Sequence, residues 1–184
     1  MRRALAAGAI GVGLLVPGGA VASHGHSVRG LRDFALGAGS NEFALGAVGQ
    51  ASFALRATSD PSGTRPAGYV TASGDPDGIG PAEPFTAKGR ITCLRVSGNR
   101  ASIKWRLDDG TGSAAPFKGG GVQSFLEDNG KPRRGQSVDR ASIDPPQPAA
   151  SFAPAAAQCD DPNTRPTYDR LEKGNIRIRD ATGR

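Results

Sequence analysis

The sequence predicts an all-β fold, a small antiparallel sandwich or barrel with long Pro/Gly-rich loops and one disulfide. Short runs of alternating apolar and polar residues recur along the chain, and turn residues separate them at intervals of about eight to twelve residues. No stretch of ten residues or more has the periodicity of an amphipathic helix. The 27 glycines and 14 prolines among 184 residues supply the turns that many short strands require.

The N-terminus has the organisation of a secretory signal peptide. Arg2 and Arg3 precede thirteen uncharged residues, Ala4 to Val16, and small residues before position 23 provide a cleavage site after Ala22. A helix of thirteen residues is about 20 Å long, too short to cross a hydrocarbon core of about 30 Å. We therefore expect residues 1–22 to be removed, and the mature chain to be secreted, extracellular and without a transmembrane anchor.

Residues 23–50 are predicted to be a flexible lead, and residues 51–184 to form the β-domain. The pattern Phe-Ala-Leu-x-Ala occurs at 34–38, 43–47 and 53–57, with its two large apolar residues two positions apart. This spacing is typical of a strand with one buried face. Three copies are too few for a solenoid. We expect short successive strands, and leave open whether all three copies belong to the domain.

A β-hairpin is the clearest single element. The runs Ile91–Ser97 and Arg100–Leu107 flank Gly98-Asn99, a favoured two-residue turn. This register places on the core face the pairs Val96 with Ala101, Leu94 with Ile103, and Thr92 with Trp105. It places on the outer face Ile91, Cys93, Arg95, Ser102, Lys104 and Arg106. A slip of one residue would bury three charges, so the register is strongly specified.

Three further runs are predicted to be strands: 68–72, 122–127 and 175–180. In the last run two isoleucines alternate with two arginines. We expect Ile176 and Ile178 to face the core, and Arg177 and Arg179 to face the solvent. Residues 144–166 contain six prolines. They are interpreted as an extended, irregular segment, called the connector below.

The two cysteines are expected to form a disulfide. Export would place Cys93 and Cys159 in an oxidising compartment, where paired cysteines are normally bridged. The bridge would hold the connector across the outer face of the hairpin, and closing so long a loop is worth about 4 kcal/mol on the chain-entropy model. A separation of 66 residues does not favour a disulfide-exchange role, since exchangers usually have closely spaced cysteines.

Three segments together resemble a known domain type. They are Gly89-Arg-Ile-Thr-Cys-Leu-Arg-Val-Ser-Gly-Asn-Arg-Ala-Ser-Ile103, Glu127-Asp-Asn-Gly130 and Gly174-Asn-Ile-Arg-Ile-Arg-Asp-Ala181. They are similar to an uncharacterised β-rich domain of exported bacterial proteins, found alone or appended to larger surface proteins. The resemblance covers about residues 50–182. It implies an exported β-domain, and it transfers no catalytic residue because none is known for that domain.

The residues that most enzymes need are poorly placed. Both histidines, His24 and His26, lie in the predicted lead, so a Ser-His or Cys-His pair is not favoured. The acidic residues cluster at turns, and no Gly-rich phosphate loop occurs. We predict no catalytic residue, cofactor or metal ion. The main hypothesis is a secreted, non-catalytic module for surface interaction or structure. The alternatives are a β-barrel carrier of a small ligand and, third, a carboxylate-based hydrolase.

The basic residues suggest an anion-contact face. The net charge is +6, and removing Arg2 and Arg3 leaves 21 basic against 17 acidic residues, a net charge of +4. That value is modest for nucleic-acid binding. If the last strand lies beside the hairpin, a basic patch could contact an anionic cell-envelope polymer; its members would be Arg95, Lys104, Arg106, Arg177 and Arg179. The alternative is a solvated outer face on a monomer.

Overall fold

The computed structural model describes residues 32–44, 48–76, 83–131, 137–165 and 167–182. The predicted signal peptide, 1–22, and the rest of the chain up to residue 31 lie outside these ranges. The described strands are β1 Asp33–Ala44, β2 Val48–Ser59, β3 Ala67–Pro76, β4 Phe85–Ser97, β5 Arg100–Thr111, β6 Gly121–Glu127, β7 Arg140–Ile143, β8 Asp169–Arg170 and β9 Lys173–Arg179. The helical segments are short: α1 Ala149–Phe152 and the 3₁₀ turns Gly112–Phe117, Ala153–Ala155 and Pro162–Thr164.

These strands form one antiparallel sheet in the order β8-β7-β6-β5-β4-β3-β2-β1-β9. The all-β class is therefore confirmed. Each strand from β1 to β7 pairs with its successor, and β9 pairs with β1. The two outermost strands, β8 and β9, do not pair but are joined by only Leu171 and Glu172, so the sheet is curled and its two ends lie near each other. A single curled sheet is closer to the predicted barrel than to a two-sheet sandwich.

The first strand corrects the predicted domain boundary. Residues 33–44 and 48–50 are not a flexible lead, because β1 pairs with β2 along its length and also with β9. The repeat copies face opposite ways: Phe53 and Leu55 are buried in β2, whereas Leu36 of β1 is 47% exposed. The inner face of β1 has small residues instead. A side chain at Gly37 would lie 2.7 Å from the carbonyl oxygen of Asn175 in β9. The second copy ends β1, and residues 45–47 are outside the described ranges.

The β4–β5 hairpin forms as predicted near its turn and departs from the prediction further along. Val96 pairs with Ala101 and Leu94 with Ile103, but Trp105 pairs with Ile91 instead of Thr92. An irregularity between Ile91 and Cys93 is a β-bulge, which adds a residue on one strand. The expected position of Thr92 on the core face, and of Ile91 on the outer face, is therefore wrong.

Two aspartates join the free edge of β9 to the loops around β6 and β7. The backbone N–H of Ile176 donates to Oδ2 of Asp139 at 2.6 Å, and that of Ile178 donates to Oδ2 of Asp128 at 3.0 Å. The other oxygen of Asp139 accepts from the N–H of Asn129 at 2.8 Å, and the side chain is fully buried. These carboxylates satisfy donors that a sheet edge would leave unpaired.

Replacing Glu127 with Gln should lower the free energy of unfolding at pH 7 by about 2 kcal/mol, the range of a charge-assisted hydrogen bond. Its Oε1 accepts from Arg100 at 2.8 Å and its Oε2 from Asn129 at 3.2 Å. Burial acts to raise the pKa of Glu127, but these hydrogen bonds and the nearby guanidinium groups outweigh it, and the pKa is lowered.

A lowered pKa in the folded state means that Glu127 stabilises the fold above its unfolded pKa, and that this stabilisation is lost as the pH falls through the folded value. The difference between wild type and Glu127→Gln in urea unfolding should therefore shrink on acidification. Glu172→Gln, at an exposed position, is the control and should change little. A difference that stays constant from neutral to strongly acidic pH would contradict the prediction.

Candidate functional site

The concave face of the sheet carries a partly open apolar cavity of about 110 Å³. Its lining comes from β2 to β7 and from the 3₁₀ turn after β5. Aromatic and aliphatic side chains supply most of the surface, among them Phe53, Leu55, Phe85, Trp105, Leu107 and Phe117. Trp105 is the chain's one tryptophan, and its Nε1 donates to Oγ of Ser124 at 3.3 Å. The described lining is mostly apolar, so it offers few polar partners for water.

The register aligns small residues on two adjacent strands of the cavity lining. Phe53 of β2 pairs with Ala72 of β3, and Ala72 pairs with Ala87 of β4. Side chains with one carbon or none leave the space that larger residues would fill. Glycine at position 89 also matters, since a side chain there would lie 2.7 Å from Cε3 of Trp105. The indole therefore packs directly against the backbone of β4.

The rim of the cavity combines one 3₁₀ turn with the start of the connector. Ser113 and Phe117 belong to the turn, and Asp144 and Pro146 follow β7. Among the described residues of the lining, Asp144 is the one acidic residue, and its Oδ1 lies 2.8 Å from Nη2 of Arg165. A carboxylate-based hydrolase would use two carboxylates at one site.

Sequence reasoning found only part of this lining. Of the eight residues predicted to face the core, Ile103 and Trp105 line the cavity, whereas Leu94 and Ile176 are fully buried in the core away from its lining. Phe117 was missed because it follows a proline in a segment without strand alternation. Phe85 and Ala87 could have been predicted to face the core, since these apolar residues alternate with the polar residues Thr86 and Lys88, which are exposed.

The connector covers the outer face of the hairpin, as the disulfide hypothesis predicted. Cys93 and Cys159 are bridged, with their Cα atoms 5.6 Å apart. Oγ1 of Thr92, in the bulge, donates to the carbonyl of Ala156 at 2.6 Å, and Nζ of Lys104 donates to that of Ala155 at 3.2 Å. The bridge and these hydrogen bonds hold residues 155–159 against β4 and β5.

The structure separates the five residues of the predicted anion-contact face. The last strand does not lie beside the hairpin, because β3, β2 and β1 stand between β4 and β9 in the sheet. Lys104 is 7% exposed beneath the connector, and Arg95 lies 2.6 Å from Asp161. The expectation of one patch containing all five is thus wrong. Arg106 lies 3.6 Å from Asp108, and the remaining two, Arg177 and Arg179, are exposed on β9.

A second depression, of about 360 Å³, borders the disulfide and is more polar. Its charged groups are already engaged: Oδ1 of Asp33 accepts from the N–H of Ala181 at 2.8 Å, and Arg95 is held by Asp161. Burial raises the pKa of the Asp33 carboxyl, and the hydrogen bond from Ala181 opposes that effect. The apolar cavity is therefore the better candidate for ligand binding.

No protein-family model, curated protein or solved structure matches this chain. In the ranges that the structure describes, no helix is both long and apolar enough to span a bilayer. The fold and the cavity themselves define a class of protein: a curled antiparallel sheet, fastened by one disulfide, with an apolar cavity on its concave face.

Proposed function

We propose that this protein is an exported, non-catalytic binding module that holds one small apolar molecule inside its curled sheet. The observation that carries the proposal is the cavity of about 110 Å³ bordered by Phe53, Trp105 and Phe117. Ligand sites in curled sheets typically combine such an apolar interior with a few polar groups at the mouth. The signal-like N-terminus and the disulfide favour export.

The chemistry of the lining defines the class of ligand. Burying a charge on this surface would be costly, because the one charged residue in the described part of the lining, Asp144, is already paired with Arg165. The volume suits an aromatic ring or a short alkyl group, since an engineered apolar cavity of about 150 Å³ in another protein binds benzene. The ligand is therefore an uncharged molecule, or the apolar end of a longer one that extends past the rim.

Bromobenzene should bind and quench the fluorescence of Trp105, the single tryptophan. Ala87→Leu, whose added carbons occupy the space of the probe, should raise its dissociation constant at least tenfold, a change of about 1.4 kcal/mol in binding free energy. Ala54→Leu is the matched control. Ala54 is exposed on the opposite face of the sheet, and the variant should titrate as the wild type does.

Both variants should keep the wild-type circular dichroism, so that a loss of quenching reports on the cavity alone. Equal quenching of Ala87→Leu and wild type would place the probe elsewhere and refute the proposal. So would an absence of saturable quenching in the wild type.

A further inference from the structure

The strand register assembles a row of side chains on the outer face of the sheet that is not apparent from the sequence. Neighbouring positions join Arg177 of β9 to Leu36 of β1, Leu36 to Arg56 of β2, Arg56 to Tyr69 of β3, and Tyr69 to Arg90 of β4. We call these five residues the arginine row. Leu36 and Tyr69 are the two large apolar residues that are most exposed in the described structure, at 47% and 56%.

From Arg177 to Arg90 the arginines alternate with apolar residues, and the register then continues to Arg106 of β5 beside Arg90. Within the arginine row, consecutive arginines are two strands apart, about 10 Å in a β-sheet. Arg90 is held by Asp108 through hydrogen bonds of 2.8 and 3.1 Å. Among the described residues no carboxylate lies within 4.0 Å of Arg56 or Arg177, so their guanidinium groups face solvent without a partner. Two unpaired charges beside exposed apolar surface favour a ligand that has both anionic and apolar faces.

The neighbouring rows of the same face are also regular. The next row, called the small row, is small at its centre, with Ala38, Ala54 and Thr71, and continues to Asn175 of β9 and to exposed Lys88 of β4. The row beyond it carries a hydroxyl on five consecutive strands: Ser40, Ser52, Ser73, Thr86 and Thr111. A chain lying across the strands over the small row would have guanidinium groups on one side and hydroxyl groups on the other.

We infer that this outer face binds an acidic polysaccharide, a chain of sugars carrying uronate carboxylates. Arginine forks match the two oxygens of a carboxylate. The ring of Tyr69 and the side chain of Leu36 suit the apolar C–H faces of sugar rings, and the hydroxyl row suits their hydroxyl groups. A phosphate polymer would contact the arginines but would leave Tyr69 and Leu36 without an apolar partner. A lipid surface would need more exposed apolar area than Leu36 and Tyr69 provide.

The test measures retention of the full chain on immobilised polygalacturonate at low and moderate salt. The wild type should be retained, and Arg56→Ser/Arg177→Ser should bind about tenfold more weakly, as expected for the loss of two exposed charge contacts. Lys118→Ser/Lys131→Ser removes the same net charge from exposed positions outside the row and should bind as the wild type does. Tyr69→Ala, which changes no charge, should weaken binding roughly fivefold.

Three results would overturn this inference. One is equal loss in the two double variants, which would show a general effect of net charge. Another is wild-type binding by Tyr69→Ala, which would remove the sugar contact. The third is tighter binding to polyphosphate or to phosphatidylglycerol vesicles than to polygalacturonate. None of these variants touches the cavity lining, so quenching by bromobenzene is independent of the outcome.

Discussion

Loss of the Cys93–Cys159 bridge should lower the free energy of unfolding by about 4 kcal/mol, the value that the chain-entropy model gives for a loop of this length. The bridge joins β4 to the connector across 66 residues of sequence. Without it, the connector is held over the sheet by hydrogen bonds such as those from Thr92 and Lys104. This is the largest single effect that we expect. It is a large share of the total, because net folding stabilities are only about 5–15 kcal/mol.

The measurement is urea unfolding of Cys93→Ala/Cys159→Ala beside the wild type with and without reductant. Alanine is used because Cys93 is 5% exposed, and a serine hydroxyl there would add a burial cost of its own. The reduced wild type should resemble the double variant in its unfolding midpoint. If the oxidised wild type and the double variant unfold at the same urea concentration, the bridge contributes nothing to stability and the prediction is wrong.

Asp139→Ala should lower the free energy of unfolding by about 3 kcal/mol. The carboxylate accepts backbone hydrogen bonds from Ile176 and Asn129 at 2.6 and 2.8 Å, and its removal leaves both donors without that partner. Charge-assisted hydrogen bonds contribute about 1.5–3 kcal/mol each, and unsatisfied buried donors add a desolvation cost. The loss should be large because these contacts hold the free edge of β9.

Two companion variants separate this role from a general effect of charge. Asp139→Asn keeps one acceptor oxygen and should lose about half as much stability. Asp109→Ala removes the same charge at a side chain that is 71% exposed, and it should change stability by less than about 0.5 kcal/mol. A loss in Asp109→Ala as large as that in Asp139→Ala would show that the hydrogen bonds to β9 are not the cause.

The hairpin and the disulfide were predictable because their signals are local or chemical. Gly98-Asn99 fixes the turn, and alternation on both sides of it fixes which face of β5 is buried. The chain has two cysteines after its signal-like N-terminus, so only one disulfide within the chain is possible. The bulge at Thr92 had no local signal. It accompanies a hydrogen bond to Ala156, which is 64 residues away in the chain.

The first strand was misjudged because its pattern is inverted relative to its repeat. Phe-Ala-Leu indicates a buried Phe and Leu, and this holds for Phe53 and Leu55 in β2. In β1 the inner positions are Ala35, Gly37 and Gly39, which allow close approach to β9 and the residues before it. The apolar signal therefore falls on the outer face, where Leu36 is exposed. Only the pairing partners distinguish the two copies.

Neither the cavity nor the arginine row could be found by spacing along the chain. The cavity depends on missing volume at Ala72 and Ala87, each an ordinary residue within its own strand. The arginine row collects one residue from each of five strands between positions 36 and 177. Both features follow from the register between strands, and the register emerges only once the whole sheet is assembled.

A crystal structure of the protein grown with bromobenzene tests the central claim most directly, because the anomalous signal of bromine locates the probe. We expect one bromine peak inside the curled sheet, within contact distance of Phe53, Trp105 and Phe117. Ala87→Leu crystals treated in the same way should lack that peak. Bromine bound only outside the sheet, or an equally strong internal peak in Ala87→Leu, would contradict the claim that this cavity is the ligand site.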